Sequence, residues 1–304
     1  MHRRTLGVAL LAVIATACAS SSSTSAAGSS TSASTAAECA TGASLVEADM
    51  LVVGTDNPAY SPYFQGGAEK DSEWKINDPN TGEGFESAVA YEIAGRMGFT
   101  NDQVGWIALP FDQSYAPGPK DFDMYLAQVS YKPARANSVD FSTGYYDVNQ
   151  ALVATKGSPI TEATSIAELK SFNIAAPLGT TSYDTITDVI VPDTEPGVYN
   201  TLDDTVAALN AGAVDGIIVD YPTAVYLADP YVQEVKDGVV VGQFPAATDG
   251  TAEYFGTVQA KDSSLTPCID LALAEMEADG ALADIQREWL SDNTNVGTVP
   301  EFTS

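Results

Sequence analysis

The hydrophobic pattern alternates between short apolar runs and longer amphipathic stretches. Apolar runs at 50–53, 106–109, 122–129, 151–154, 172–176 and 214–219 predict β-strands. Helices are predicted at 86–97, 185–191, 205–210 and 269–290. The pattern is clearest in 86–97 and 269–290, where apolar residues recur every three or four positions. Because strands and helices alternate along the chain, we expect an α/β fold with mainly parallel sheets.

Four polar residues follow predicted strands, namely Asp56, Ser130, Thr180 and Asp220. Ligands of such sheets bind beyond the carboxyl ends of the strands, so we expect these residues to share one cleft. Asp220 directly follows the apolar run 217–219, where an unpaired carboxylate is costly. A cap of the next helix is the alternative role for Asp220.

Arg135 is one of three arginines beyond the N-terminal leader and lies in an irregular stretch after a predicted strand. A guanidinium holds a carboxylate through two parallel hydrogen bonds, so Arg135 is a candidate for binding a small carboxylate ligand. An exposed salt bridge is the alternative.

The N-terminus has the pattern of an export signal. Basic residues 2–4, an apolar segment 6–14 and small residues before Cys18 predict a signal peptide at 1–17. Acylation of Cys18 would then anchor the protein to the extracytoplasmic face of the membrane, and an ordinary cleaved signal is the alternative. Residues 18–44, rich in Ser, Thr and Ala, are interpreted as a lipid-anchored tether or as a plain disordered tail.

Composition restricts the function. The formal net charge of −28 disfavours binding to nucleic acid, whose phosphates would be repelled. The acidity favours either a cationic ligand or simply solubility. The single histidine, His2, lies in the leader, which removes His-based catalytic arrangements and His-ligated metal sites from the mature chain. We find no phosphate loop or dinucleotide fingerprint and therefore expect no cofactor and no enzymatic activity.

A series of short motifs resembles the amino-acid-type extracellular solute-binding proteins of ABC importers. Residues 128–135 (QVSYKPAR) are followed by 139–142 (VDFS) and two tyrosines at 145–146. Further matching stretches occur in the same order at 52–60, 84–86, 150–153, 157–159 and 279–290.

The resemblance implies a two-lobed periplasmic-binding-protein-like fold. Lobe 1 is expected at 45–147 and 246–304, and lobe 2 at 148–245, with hinge strands near 146–151 and 243–245. A polar or basic L-amino acid would close the lobes of this monomeric receptor, which would then dock on an ABC permease. The alternatives are an enzyme on the same fold, of dehydratase or wall-cleaving type, and a ligand sensor without a permease.

The resemblance also assigns roles to residues. Arg135 and backbone N–H groups near Ser130 and 179–181 would hold the ligand carboxylate, while Asp220 and Ser130 would hold its ammonium group. Helix capping is the alternative for the threonines in this set. The side-chain pocket would comprise Asp56, Tyr60 and Phe111, reshaped by Gln128, although Phe111 is equally suited to the core. The complete set of candidate ligand-binding residues is Asp56, Tyr60, Phe111, Gln128, Ser130, Arg135, Thr180, Thr181 and Asp220.

Two further cysteines remain once Cys18 is lipidated. In the resembled fold, Cys39 precedes the first strand and Cys268 begins the last long helix of the same lobe. We therefore expect a disulfide in an oxidising compartment, with two free thiols as the alternative.

Overall fold

A computed structural model describes residues 35–246, 252–291 and 299–304. Its strands within these ranges are β1 (Leu51–Thr55), β2 (Val104–Ala108), β3 (Met124–Tyr125), β4 (Val139–Asp147), β5 (Gln150–Thr155), β6 (Ile174–Pro177), β7 (Gly197–Tyr199), β8 (Gly216–Asp220), β9 (Gly238–Gln243) and β10 (Tyr254–Ala260).

The α-helices of the same ranges are α1 (Ala36–Ala40), α2 (Phe85–Arg96), α3 (Phe111–Ser114), α4 (Pro133–Ala136), α5 (Ile166–Leu169), α6 (Thr181–Asp184), α7 (Leu202–Asn210), α8 (Tyr221–Leu227), α9 (Thr266–Asp279) and α10 (Ala281–Gln286). Helix α6 continues as a π-helix over Thr185–Ile190, and α10 continues as one over Arg287–Ser291. Single 3₁₀ turns are found at Pro79–Thr81, Asn101–Gln103 and Pro159–Glu162.

The strands form two five-stranded sheets. The first has the order β2-β1-β3-β10-β4 and the second β7-β6-β8-β5-β9, and we call the halves built on them lobe 1 and lobe 2. Strand β1 pairs in parallel with β2 and β3, whereas β10 is antiparallel to both of its neighbours. The lobe 2 sheet also combines parallel and antiparallel pairs. Strand β6 is parallel to β7 and β8, whereas β5 is antiparallel to β8 and β9. The two-lobed α/β prediction is confirmed, but the sheets are mixed rather than mainly parallel.

Each sheet is covered on both faces, which explains why its central strands are continuously apolar. In β1, Leu51 and Val53 pack towards α2 and α9, while Val52 packs into a cluster on the opposite face. Lobe 2 shows the same alternation in β5, where Val153 and Leu152 belong to different clusters. Each lobe thus has its own core.

Two connections between strands lead from one sheet to the other within the part of the chain that the structure describes on either side of them. The first crossing runs from the end of β4 at Asp147 to the start of β5 at Gln150. The second leads from Gln243 at the end of β9 to Tyr254 at the start of β10. These crossings give the structure the two connections expected of a two-strand hinge.

Two predicted elements are shorter than expected. Strand formation over 122–129 was predicted, but only Met124–Tyr125 pairs as a strand. Gln128 has a φ of 53°, and its backbone N–H donates to the Glu86 carboxylate at 2.6 Å instead of to a neighbouring strand. The helix predicted over 269–290 breaks at Gly280, which has a φ of 85° and separates α9 from α10.

Both ends of the described chain differ from the predicted boundaries. The tether was predicted to reach residue 44, but α1 lies within it and is tied to α9 by a hydrogen bond from Ala36 N to Glu275 Oε1 at 3.0 Å. Residues 299–304 were assigned to lobe 1, yet Phe302 packs on Phe244 in a lobe 2 core at a ring distance of 5.2 Å. The C-terminal residues therefore pack on lobe 2, because the Phe302 ring is buried in its core.

The predicted disulfide is present. Cys39, on α1, is bonded to Cys268, on α9, with their Cα atoms 5.2 Å apart. Cys18 lies outside the described residues, as do the signal peptide and most of the tether.

Candidate functional site

Arg135 is buried between the two lobes. It lies on the short helix α4, with 6% of its surface exposed. Its Nη1 donates to the carbonyl oxygen of Ser130 at 2.7 Å, and its Nη2 donates across the cleft to that of Gly179 at 2.9 Å. Because the guanidinium is buried and its acceptors are carbonyl groups, the interpretation of Arg135 as an exposed salt bridge is wrong.

Two aromatic rings support the guanidinium. The Arg135 Cζ lies 5.3 Å from the ring centre of Phe111 and 4.5 Å from that of Tyr115. Burial lowers the pKa of Arg135. Cation–π attraction to the faces of these rings offsets part of the free-energy cost of removing the guanidinium from water. Phe111 also packs beside a lobe 1 core cluster, so its predicted core role and its position in the cleft are compatible.

Asp220 ends β8 in lobe 2 and precedes α8. Its side chain does not cap that helix, so the alternative capping role is wrong. Its Oδ1 instead accepts a hydrogen bond from Gln150 Nε2 at 2.6 Å. Burial, followed by repulsion from Glu253, raises the pKa of Asp220 to about 8. The carboxyl group is therefore largely protonated at neutral pH in the structure as it stands.

Gln150 and Glu253 connect these residues into one network. The Gln150 Nε2 also donates to Glu253 Oε2 at 3.1 Å, and Ser130 Oγ donates to Glu253 Oε1 at 2.5 Å. Gln150 Oε1 accepts a hydrogen bond from Ser182 Oγ at 2.7 Å. The group formed by Ser130, Arg135, Gln150, Asp220 and Glu253 lies beside the two chain crossings, and we call it the inner end of the cleft.

Thr180 and Thr181 lie at the lobe 2 edge of the inner end. Thr180 caps α6, because its Oγ1 accepts from Tyr183 N at 3.2 Å and donates to the Pro177 carbonyl oxygen at 2.8 Å. Its predicted capping role is confirmed. Thr181 Oγ1 lies 3.4 Å from Gln150 Nε2, in contact with the network.

A second group lies away from the crossings. It borders a cavity of about 230 Å³ between the lobes, and we call this group the outer end of the cleft. Residues that line it include Tyr60, Gln128, Asp203, Tyr226 and Glu234. The Tyr60 hydroxyl is hydrogen-bonded to Asp203 of lobe 2, and burial together with this carboxylate raises the pKa of Tyr60. Asp203 and Glu234 are exposed to solvent.

Asp56 follows β1 near the outer end. Its Oδ1 accepts from Asn57 N at 2.7 Å, and it is also hydrogen-bonded by the backbone of Phe111. Burial raises the pKa of Asp56. Asp56 is thus held beside the aromatic residue predicted to share its pocket.

Glu86 lies buried close to both ends. Gly84, with a φ of 97°, lets α2 begin against the backbone of Tyr63, where a Cβ atom would approach the carbonyl oxygen to 2.6 Å. This start directs Glu86 to the backbone N–H and side-chain amide of Gln128 and to the hydroxyl of Tyr145, all of which donate to its carboxylate. Burial raises the pKa of Glu86 to about 7 despite these donors.

The structure therefore brings most predicted site residues together. Phe111, Ser130, Arg135, Thr181 and Asp220 meet at the inner end, and Tyr60 and Gln128 meet at the outer end. Sequence analysis missed the roles of Tyr115, Glu86, Gln150 and Glu253. Gln150 and Glu86 lie in motifs that the resemblance singled out. The chain has 41 Asp and Glu residues, and no motif or pattern near Glu253 distinguishes it from the others.

Comparison with known proteins identifies relatives along most of the chain. The profile of the bacterial extracellular solute-binding proteins, family 3, matches residues 67–292. The arginine-binding extracellular protein ArtP of Bacillus subtilis is 26% identical over 79% of this chain and 86% of its own length. The glutamine-binding protein GlnH of the same organism is 24% identical over 72% of this chain and 77% of its own.

Solved structures agree with these matches. An ancestral arginine-binding protein bound to arginine superimposes with a TM-score of 0.62 at 27% identity, over 79% of this chain and 98% of that one. The same kind of ancestral protein bound to glutamine gives a TM-score of 0.62 at 26% identity, over 81% of this chain and 99% of that one. Among the described residues, none of the helices has the length and apolar character needed to cross a membrane.

Proposed function

This chain belongs to family 3 of the bacterial extracellular solute-binding proteins, and on that premise we propose that it captures a polar or basic L-amino acid for an ABC importer. The observation that carries this proposal is that Arg135 from lobe 1 and Asp220 from lobe 2 lie in one cleft, close enough for Arg135 to lower the pKa of Asp220. Arg135 already reaches lobe 2 through Gly179 at 2.9 Å. A ligand that contacts both residues stabilises the closed arrangement of the lobes.

The inner end matches the two groups that all amino acids share. The Arg135 guanidinium suits a carboxylate, provided that it exchanges its carbonyl acceptors for the ligand. The N–H groups at the start of α6 add donors on the lobe 2 side. Asp220 binds the ammonium group, whose positive charge would lower the pKa of Asp220 from about 8 and release its proton.

The outer end accommodates the ligand side chain. Its cavity of about 230 Å³ has aromatic walls and the carboxylates of Asp203 and Glu234. Asp56, beside Phe111, adds another carboxylate nearby. Uncompensated negative charge disfavours acidic side chains and suits polar or basic ones. The two Bacillus subtilis relatives are named for arginine, which has a basic side chain, and glutamine, which has a polar one.

The protein acts outside the cytoplasm, as the family does. We propose further that Cys18 is acylated and that residues up to the start of α1 tether a monomeric receptor to the membrane beside its permease. Mass spectrometry of the membrane-extracted protein is expected to show a diacylated N-terminal Cys18. A mature N-terminus elsewhere, without lipid, would reject the anchor.

A thermal-shift screen with the twenty common amino acids tests the function. A ligand at one hundred times its Kd is expected to stabilise the native state by about 2.7 kcal/mol. One or a few polar or basic amino acids should raise the melting temperature, while nucleotides should not. If another class of small metabolite is the only one that does so, the substrate assignment is wrong.

One observation favours a second candidate, an enzyme on this fold. The Asp220 carboxyl, with its pKa raised to about 8, has the protonation state required of a general acid. NMR spectra of a bound compound before and after prolonged incubation separate the two functions. An unchanged ligand supports binding alone, and a new product would establish catalysis.

A further inference from the structure

Glu253 is a residue of the inner end that lies in none of the motifs singled out in the sequence. It lies just before β10, in the segment that returns the chain to lobe 1. Its Oε1 accepts from Ser130 Oγ at 2.5 Å, and its Oε2 accepts from Gln150 Nε2 at 3.1 Å. The same Gln150 nitrogen donates to Asp220 Oδ1 at 2.6 Å. Two carboxylates from different parts of the chain therefore share the two N–H bonds of one amide.

The hydrogen-bond directions around Glu253 are determined by the chemistry of the partners. A serine hydroxyl has one proton, and that of Ser130 is donated to Glu253, so its free lone pairs remain as acceptors. Ser182 Oγ donates to Gln150 Oε1, which orients the amide nitrogen towards the carboxylates. The inner end consequently presents oxygen acceptors from Asp220, Glu253 and Ser130.

We propose that Glu253 is the second carboxylate of the ammonium subsite, and that Asp220, Glu253 and Ser130 Oγ accept the three N–H bonds of a primary ammonium group. The inference rests on the proposed function and goes beyond it by naming a ligand contact and a chemical selectivity. A primary ammonium has three donors for these three acceptors, whereas a trimethylated nitrogen has none. The site thus selects primary amines over their quaternary derivatives.

The charges around Asp220 support this assignment. The charges of Glu253 and Glu86 raise the pKa of the Asp220 carboxyl, and the charge of Arg135 lowers it. The nearby Lys132 is already paired with Asp184 across the cleft. The charge of Asp220 contributes to the raised pKa values of Tyr63, Tyr145 and Tyr146. A cation between the two carboxylates would offset their mutual repulsion.

A pH dependence follows from the same arrangement. Below pH 8, Asp220 holds a proton that an ammonium ligand must displace, so affinity rises as the pH increases from 6 to about 8. Glu253 is a principal source of the raised pKa, after burial. Removing its charge therefore lowers the pKa of Asp220 and flattens the pH profile.

The test compares wild type with Glu253→Gln by titration calorimetry at pH 6.0, 7.0 and 8.5. The probe is whichever of L-arginine, L-lysine and L-glutamine gives the largest thermal shift with the wild type. At pH 8.5 the variant is expected to bind about 10- to 150-fold more weakly, because it loses a hydrogen bond to a charged group. At pH 6.0 the difference should be much smaller, because wild type alone must expel the proton.

Controls separate this role from a structural one. Glu277→Gln removes the same charge from an exposed position on α9 and is expected to leave affinity and pH profile unchanged. Glu253→Asp keeps the charge and should retain the rise in affinity with pH. The derivative of the probe that is trimethylated at its α-nitrogen should not bind the wild type. Melting curves confirm that each variant is folded.

The outcomes distinguish the two levels of inference. If the wild type binds none of the common amino acids, the proposed function fails. If the wild type binds but Glu253→Gln keeps its affinity and its pH profile, Glu253 is not part of the ammonium subsite. A loss of equal size at every pH would also overturn the proposal, because it would indicate a general disturbance of Ser130 and Gln150.

Discussion

The two ends of the cleft hold their charged groups in different ways. At the inner end, Arg135 is buried, and the side-chain amide of Gln150 donates to both Asp220 and Glu253. At the outer end, Asp203 and Glu234 are exposed on the rim of a cavity. Charges screened by water contribute little to affinity, whereas desolvated charges contribute much and must be matched. The inner end is therefore suited to groups that every ligand has, and the outer end to groups that vary.

The difference extends to the contacts between the lobes. At the inner end, the Arg135 guanidinium donates to the Gly179 carbonyl oxygen, and Gln150 of lobe 2 donates to Glu253 of lobe 1. At the outer end, hydroxyl contacts such as Tyr63 with Thr223 at 3.0 Å join the lobes. The apolar clusters remain within the individual lobes. Because the lobes meet mainly through polar groups that water can replace, opening costs less than disrupting a core.

The largest effect is expected from Arg135→Lys. The substitution keeps the charge but loses the fork that can hold a carboxylate through two bonds. Truncation of one partner in a buried charge pair costs about 2–5 kcal/mol, which corresponds to a loss in affinity of about 30-fold to several-thousand-fold. Titration calorimetry with the amino acid identified by the screen measures this loss.

Arg287→Lys is the matched control for that experiment. Arg287 forms an exposed pair with Asp284 at 2.7 Å, far along the chain from the cleft residues. Its replacement is expected to leave the affinity unchanged. If a folded Arg135→Lys variant also binds as wild type does, the inner end does not hold the ligand carboxylate and the contrast between the two ends disappears.

The next effect concerns stability and its dependence on pH. The folded-state pKa of Glu86 is raised to about 7, above the unfolded value, so the native protein binds more protons between these two values. The protonated Glu86 carboxyl contributes fully to the stability of the folded protein below the unfolded pKa, and this contribution is lost as the pH rises through about 7. The loss amounts to about 3 kcal/mol in the free energy of unfolding.

Glu86→Gln cannot ionise and therefore avoids this loss. Between pH 5 and pH 8, urea denaturation should show the variant gaining about 2.5 kcal/mol relative to the wild type. Glu277→Gln on α9, which is exposed, should parallel the wild type. Parallel curves for Glu86→Gln would mean that Glu86 is ionised throughout, and the buried charge near the inner end would then be one unit larger.

The smallest effect is expected at the outer end. Asp203→Asn removes an exposed charge that hydrogen-bonds to Tyr60, and such pairs contribute about 0.2–1 kcal/mol. Affinity for a basic amino acid should fall by no more than about fivefold, and less at 0.5 M salt because of screening. Calorimetry at two salt concentrations measures this. A loss as large as that of Arg135→Lys would show that both ends bind through desolvated charges.

Several parts of this molecule could be predicted from local sequence. The apolar runs at β1 and β8, the helix α2 and the polar residues at strand ends were recognised because burial leaves a periodic trace along the chain. Arg135 could be singled out because it is one of few arginines and lies outside a helical pattern. Its burial could not be predicted, since Tyr115 and Gly179 reach it only after folding.

Other parts left no local trace. Strand β10 was missed, although it joins β3 to β4 in the first sheet. Gln128 was placed in a strand, yet its N–H donates to Glu86, which is 42 residues earlier in the chain. The C-terminal residues were assigned to lobe 1, yet Phe302 fits against Phe244 in lobe 2. In each case the deciding partner is distant in sequence.

The sequence by itself determined the α/β class and the family, and the family resemblance implied the Cys39–Cys268 pairing and a shared cleft for Arg135 and Asp220. These properties follow from periodicity, residue chemistry and motif order, which are local or nearly so. Only the tertiary structure decided that Asp220 shares Gln150 with Glu253 and that burial raises its pKa to about 8. Such properties depend on distances and on the exclusion of water, which arise only when the two chain crossings bring separate segments together.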